Sequence, residues 1–185
     1  MIEYYWEDFN IEVSIEEPEE ISWSQLEAIG VTPDVLTSDE CDSIEEHFHD
    51  HPTTHVYVFY AKWLETSNPL WGPAGWARGD FGAFLAMARI NSILNYIGGV
   101  FPETLEKITL LHEVGHCIGI VEYTMEDPMF EELYCDDGTC VMATDLTALS
   151  AIIEFQWPVI WDSTPEYCSW HASMIERWLW SVDES

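Results

Sequence analysis

The sequence predicts a single α+β domain, on three observations. The 185 residues are 48% hydrophobic and include ten tryptophans, which is enough apolar material for one core. Residues 9–17 alternate apolar and polar side chains, and residues 55–60 are rich in β-branched and aromatic side chains, so both indicate strands. Residues 102–117 repeat apolar side chains at helical spacing after an initial proline, which indicates a helix of about four turns.

Two shorter helices are predicted by capping boxes, in which a serine or threonine is followed three residues later by glutamine or glutamate. Ser22 and Gln25 begin the first helix, which we expect to end at Gly30. Thr37 and Glu40 begin the second, which we expect to run to about residue 50.

Other segments carry weaker signals. Residues 68–82 are rich in glycine, proline and tryptophan, which predicts a long loop. Residues 81–90 are compatible with a strand or a helix, and residues 146–157 are ambiguous. A last helix is predicted from about residue 165 to residue 180, because a proline can open it.

The most specific motif is H-E-x-x-H at residues 112–116, on the predicted long helix. His112 and His116 are four residues apart, so they share one helix face and can bind the same Zn²⁺. Glu113 lies beside that metal, where it can take a proton from a water molecule and pass it to a leaving amine. This pattern is typical of zinc peptidases. The alternative is two exposed histidines on an ordinary amphipathic helix.

A third ligand is suggested by the residues that follow. Gly119 lies where the helix could end and turn back, which would bring Glu122 to the metal. A carboxylate oxygen binds zinc at about the same distance as an imidazole nitrogen, so Glu122 is chemically able to serve. Two alternatives stay open: the metal has only two protein ligands and the site is weak or inactive, or the third ligand is another acid (Glu126, Asp127, Glu131 or Glu132).

A second cluster of soft ligands follows the first. Cys135, Cys140, Cys168 and His171 form a Cys₃His set, which predicts a closed structural zinc site. The four residues between the first two cysteines favour a turn, as a metal knuckle requires. The alternative is a Cys135–Cys140 disulfide with Cys168 free and His171 exposed. The odd count of five cysteines disfavours it.

These motifs together resemble those of the archaemetzincins, which are small metzincin-type zinc peptidases. The resemblance covers roughly residues 55–182. It implies a catalytic zinc, a structural zinc and a methionine turn below the catalytic zinc, although a lone methionine more often fills a core. The residues that carry it are His112-Glu113-x-x-His116-x-x-Gly119, Cys135-x4-Cys140-x-Met142 and Cys168-x-x-His171.

The resemblance also implies an architecture. We expect a metzincin-like mixed twisted sheet with an active-site helix in an N-terminal lobe (residues 1–119). A small C-terminal lobe (residues 120–185) would carry the structural zinc, the methionine turn and a terminal helix. The resemblance also favours a strand pair around residues 81–90, with a loop that borders the cleft. The chain departs from the family pattern at Glu122, where the family has histidine, in the twelve-residue insert before Cys135, and at His171, where the family has cysteine.

The charge balance is extreme. Thirty-five acidic residues face five basic ones, for a net charge of −30. Such self-repulsion is screened at high salt, so we expect a halophilic protein of an archaeon or its virus that unfolds in dilute buffer. A merely acidic protein is the alternative. The scarcity of positive charge argues against nucleic-acid binding. No apolar run spans a bilayer and no basic signal segment opens the chain, which predicts a cytoplasmic protein without membrane association.

The predicted function is therefore a zinc peptidase with Glu113 as general base, two zinc ions per chain and a peptide or protein substrate. One alternative is a catalytically inactive, zinc-stabilised relative that acts as a binding or assembly module. Another is a metal-dependent hydrolase of a different amide bond, since the motif does not separate the two.

Two minor features leave alternatives open. Cys41 is a small buried thiol or, less expected, a thiolate that blocks the catalytic zinc. A histidine cluster lies at a solvated helix end and loop or, less expected, forms a further metal site. Its members are His47, His49, His51 and His55.

Overall fold

The computed structural model describes eight ranges: residues 17–32, 34–49, 55–65, 73–78, 82–97, 102–118, 140–142 and 167–175. Within them the chain forms a mixed α+β fold around a small three-stranded sheet, as the sequence predicts for the fold class. Residues 169–175 are helical and are called α5 here. The other elements are α1 (Trp23–Ala28), α2 (Ser38–Phe48), β1 (Tyr57–Ala61), β2 (Gly75–Arg78), β3 (Gly82–Ala86), α3 (Met87–Ile97) and α4 (Pro102–Cys117).

Both predicted capping boxes are present. The Gln25 side chain accepts a hydrogen bond from the Ser22 amide at 2.9 Å, and α1 ends before Gly30, which has a φ of 79°. At α2, the Thr37 hydroxyl accepts the Glu40 amide at 3.2 Å. The Glu40 carboxylate accepts the Thr37 amide in return, at 2.9 Å. These side chains satisfy amide groups that a helix start leaves without intrahelical partners.

The sheet has the strand order β1-β3-β2. The central strand β3 pairs in parallel with β1 and antiparallel with β2. All five residues of β3 are buried. Helices cover both faces of this strand: Phe84 packs with Cys41 and Ile44 of α2, whereas Leu85 packs in a cluster with Leu110 of α4. A strand buried on both faces has a continuous apolar sequence, which explains why periodicity left residues 81–90 ambiguous.

Two sequence predictions need correction here. Residues 68–82 are not wholly a loop, because Gly75–Arg78 forms β2. Glycine and tryptophan in this segment suggested a loop, but tertiary pairing with β3 and packing of Trp76 against the α2 core determine the strand. Residues 81–90 are neither one strand nor one helix: β3 ends at Ala86, and α3 begins at Met87.

The long helix α4 has the predicted start and length, and it packs against β2, β3 and α3. Ile108, Leu111, Val114 and Cys117 on it are buried. Within the described ranges, no helix combines the length and apolar composition that a bilayer-spanning segment needs.

Several predictions fall partly or wholly outside the described residues. These include the strand at residues 9–17, the insert at residues 123–134, the segment 146–157 and most of the terminal helix, of which α5 is the described part. The division into lobes at residue 119 stays a prediction for the same reason.

Candidate metal centres

The two histidines of the H-E-x-x-H motif converge on one point. Because α4 carries them one turn apart, their Nε2 atoms approach to 3.1 Å, with the rings nearly perpendicular at 85°. Two nitrogens that share a zinc ion at about 2.0–2.1 Å with tetrahedral angles lie roughly 3.3 Å apart. The pair, called the histidine centre here, therefore fits a zinc ion between its Nε2 atoms.

The orientation of His112 is set by a backbone group. Its Nδ1 atom donates a hydrogen bond to the Val141 carbonyl oxygen at 2.8 Å. Since a carbonyl can only accept, Nδ1 carries the proton and Nε2 keeps its lone pair for a metal. Burial lowers the pKa of His112, which also favours the neutral ring that a metal requires.

Glu113 directly follows His112 on α4, and its side chain lies in tight contact with β2. Its side chain is buried, and burial raises its pKa from the ordinary value of 4.5 to about 8, against the opposing effect of a hydrogen bond from the Ala77 amide. A methyl group at Gly75 would lie 2.7 Å from both Cγ and Oε1 of Glu113, so glycine is needed for this approach. A carboxyl group with a pKa near neutrality is suited to exchange protons in catalysis.

The strand β2 that touches Glu113 is an edge strand of the described sheet. Ala86 donates its amide to the Ala74 carbonyl at 2.8 Å, and this bond sets the alternation along the antiparallel pair. The peptide groups of Gly75 and Ala77 therefore point away from β3. This agrees with the hydrogen bond from the Ala77 amide to Glu113. The outward edge of the strand thus lies beside the predicted general base, which binds the Ala77 amide.

A second group of potential metal ligands lies near α4. Cys140, Cys168 and His171 form the cysteine centre, in which all ligand atoms are within 4.8 Å of one another, so the group could hold a metal ion. The His171 Nδ1 atom lies 3.1 Å from the Cys168 sulfur and 3.4 Å from the Cys140 sulfur. Cys168 directly precedes α5, and one helical turn brings His171 to the same point.

The chemistry of the cysteine centre also fits a metal. His171 is fully buried, and burial lowers its pKa, which keeps the ring neutral. The Cys140 sulfur accepts amide hydrogen bonds from Met142 at 3.4 Å and Cys168 at 3.3 Å. Amide donors stabilise a thiolate, which is the form of cysteine that binds metals.

Met142, which the sequence predicts to lie below the catalytic zinc, is part of the core. It is fully buried in a turn, in one cluster with Leu111 and Val114 of α4. Tyr167 reinforces this contact, because its hydroxyl donates to the Leu111 carbonyl at 2.7 Å. Met142 therefore packs with the helix that carries the histidine centre, and its role as a methionine turn stays a prediction.

The remaining predicted ligands cannot be placed. Gly119, Glu122 and Cys135 lie outside the described residues, so the third ligand of the histidine centre and the fourth ligand of the cysteine centre stay predictions. The described part of the histidine cluster forms no metal-binding group, and His49 packs edge-on against Tyr57. Cys41 is fully buried, and burial raises its pKa to about 12, so it is a buried thiol and not a thiolate.

Three groups at the site were not foreseen from the sequence: Gly75, the Ala77 amide and the Val141 carbonyl. Two of these act through the backbone, which carries no side-chain signal. Gly75 lay in a glycine-rich stretch that indicated a loop.

Comparison of the chain with protein-family models, with curated proteins and with solved structures gives no match. The resemblance to archaemetzincins therefore depends on the motifs and their spacing.

Proposed function

We propose that the chain is a zinc-dependent peptidase of the archaemetzincin type. The observation that carries the proposal is the convergence of the two Nε2 atoms, 3.1 Å apart, on a helix whose Glu113 is buried against an edge strand. His112 and His116 would hold the catalytic zinc, with Glu122 as the third ligand that the motif spacing suggests. Cys140, Cys168 and His171, with Cys135, would hold a structural zinc.

A bound zinc ion supplies Lewis acidity that polarises a carbonyl group and makes a water molecule more acidic. Glu113 would act as the general base and acid, taking a proton from a water molecule and passing it to the leaving amine. In the metal-free chain, burial raises the pKa of Glu113 to about 8 while the Ala77 amide stabilises the carboxylate, so this side chain can hold and release a proton near neutral pH. The Val141 carbonyl keeps His112 in the tautomer that binds a metal through Nε2.

The edge strand supports a peptide as substrate. Apart from the Ala77 amide, which donates to Glu113, the outward peptide groups of β2 can pair with an extended chain, which is a common mode of peptide binding. Such a chain would run beside Glu113, because Gly75 and Ala77 contact that side chain. A metzincin-like cleft between two lobes is consistent with this placement.

The test is hydrolysis of a peptide library at high salt by the Glu113→Gln variant. We expect the rate to fall by roughly 10²- to 10⁴-fold, since the amide cannot accept the proton. The zinc content should stay that of the unmodified chain, because Glu113 is not a ligand.

Glu106→Gln is the matched control, because Glu106 lies on the same helix and contacts Tyr60. It should hydrolyse peptides at the unmodified rate. Equal hydrolysis by Glu113→Gln and the unmodified chain would contradict the mechanism. An unmodified chain that binds zinc and cleaves nothing would favour the inactive binding or assembly module.

A further inference from the structure

A single peptide group contacts both metal centres. The bond between Val141 and Met142 places its carbonyl oxygen 2.8 Å from His112 Nδ1. The amide of the same group lies 3.4 Å from the Cys140 sulfur. The described residues contain no cis peptide bond, so this carbonyl and amide point in opposite directions within one rigid plane. Rotation of that plane would break both hydrogen bonds together.

The amide end of this group responds to the state of Cys140. A metal at the cysteine centre makes Cys140 a thiolate, and a thiolate accepts an amide hydrogen bond more strongly than a thiol does. The Cys168 amide also donates to this sulfur, so the sulfur is held from two sides. A metal at the cysteine centre would therefore strengthen the hydrogen bond that holds the Val141–Met142 peptide in this orientation.

The carbonyl end of the group controls His112. While the Val141 carbonyl accepts from Nδ1, the proton stays on Nδ1 and Nε2 faces His116. Loss of the hydrogen bond to the second ring nitrogen of a metal-binding histidine typically changes metal affinity by about 10- to 100-fold. A second hydrogen bond links the neighbouring residues. Tyr167, which precedes Cys168, donates its hydroxyl to the carbonyl of Leu111, which precedes His112.

We propose that the Val141–Met142 peptide couples the two centres, so that a metal at the cysteine centre raises the zinc affinity of the histidine centre. The proposal rests on the zinc-binding histidine centre of the proposed function. It makes the Val141 carbonyl a positioning group, and it makes the cysteine centre a regulator of the catalytic metal as well as a structural clamp. Because coupling is reciprocal, a metal at the histidine centre raises the affinity of the cysteine centre by the same factor.

The first test measures zinc affinity by competition with a chelator at high salt. Cys168→Ala removes one ligand of the cysteine centre, and we expect the zinc affinity of the histidine centre to fall about tenfold or more. Cys41→Ala is the matched control, since it makes the same substitution at a buried cysteine in a separate core cluster, and it should leave both affinities unchanged. His116→Ala should weaken the cysteine centre by the same factor.

The second test requires no change at the cysteine centre. In the His116→Ala variant, zinc is confined to the cysteine centre. Nuclear magnetic resonance then measures how fast the His112 Nδ1 proton exchanges with water. Zinc should slow this exchange several-fold, because the Val141 carbonyl then holds the proton. The same rate with and without zinc would overturn the coupling.

The two proposals fail in different ways. A histidine centre in Cys168→Ala that keeps its zinc affinity within twofold would overturn the coupling and leave the peptidase proposal intact. An unmodified chain whose histidine centre binds no zinc would overturn both.

Discussion

Glu113 shows how one residue acquires its chemistry from its surroundings. A carboxyl group in water is ionised at neutral pH, but here the β2 backbone and the core leave only 6% of Glu113 exposed. The resulting pKa of about 8 is near the working pH of most enzymes, which is the condition for efficient proton exchange. The motif identifies this glutamate, whereas the burial that tunes it comes from a strand about 37 residues earlier.

This burial predicts a pH dependence for the metal-free protein. The folded state holds the Glu113 proton up to a pH of about 8, whereas the unfolded chain releases it near 4.5. Between these values the folded state binds more protons, so its free energy of unfolding falls as the pH rises. We expect chelator-treated protein at high salt to lose a few kcal/mol of stability across this window.

The matched variant for this prediction is Glu113→Gln, which does not titrate. The difference between the two unfolding free energies isolates Glu113 from the other acids and histidines that titrate in the same window. Denaturant unfolding at several pH values measures it. A difference that is independent of pH would show that Glu113 titrates normally.

At the scale of elements, the contact between β2 and α4 defines the site. β2 has only four residues, yet it holds Glu113 through the Ala77 amide and leaves room for it at Gly75. Residues far apart in sequence are thereby brought together around Glu113.

We predict that Gly75→Ala disturbs this contact specifically. The added methyl group would lie 2.7 Å from Glu113 Cγ, so either the side chain or the strand must move. Overpacking of this kind costs about 1–3 kcal/mol of stability. Peptide hydrolysis should fall, whereas zinc content should not.

A double-mutant cycle with Glu113→Ala tests the cause. In the Glu113→Ala background the methyl group has space, so Gly75→Ala should cost much less stability there than in the unmodified chain. Thermal unfolding of the four proteins gives the coupling energy. The same loss in both backgrounds would mean that Gly75 serves the strand and not the glutamate.

Several of these elements were predictable from the sequence, and others were not. The capping boxes at Ser22 and Thr37 and the proline start of α4 are local signals, and each begins a helix where it was predicted. The sequence also predicts that Cys140, Cys168 and His171 come together, and they do. This was predictable because metal-binding side chains can be identified in a sequence. β2 was missed because pairing and packing, not its own residues, make it a strand. The Val141 carbonyl was missed because any residue supplies a carbonyl.

For the whole molecule, the net charge of −30 dominates the electrostatics. Only five basic residues are available, and two of them, Lys62 and Arg78, form ion pairs at the surface with Asp34 and Asp42. Exposed pairs contribute little to stability, so they do not offset the repulsion among the remaining acids.

We therefore predict that the fold depends on salt. At about 1 M salt the Debye length is about 3 Å, which screens the repulsion between surface carboxylates. Dialysis into dilute buffer with zinc held constant should abolish the helical circular dichroism signal, and salt should restore it. An unchanged spectrum in dilute buffer would contradict a halophilic surface.

We infer that the chain has two separate zinc centres, one of which is built on the H-E-x-x-H helix. Zinc per chain, measured by elemental mass spectrometry at high salt for the unmodified chain and for His112→Ala, tests it most directly. We expect two zinc ions in the unmodified chain and one in the variant, since the cysteine centre does not use His112 as a ligand. One zinc ion in both proteins would contradict the claim, because it would leave the histidine centre without a metal.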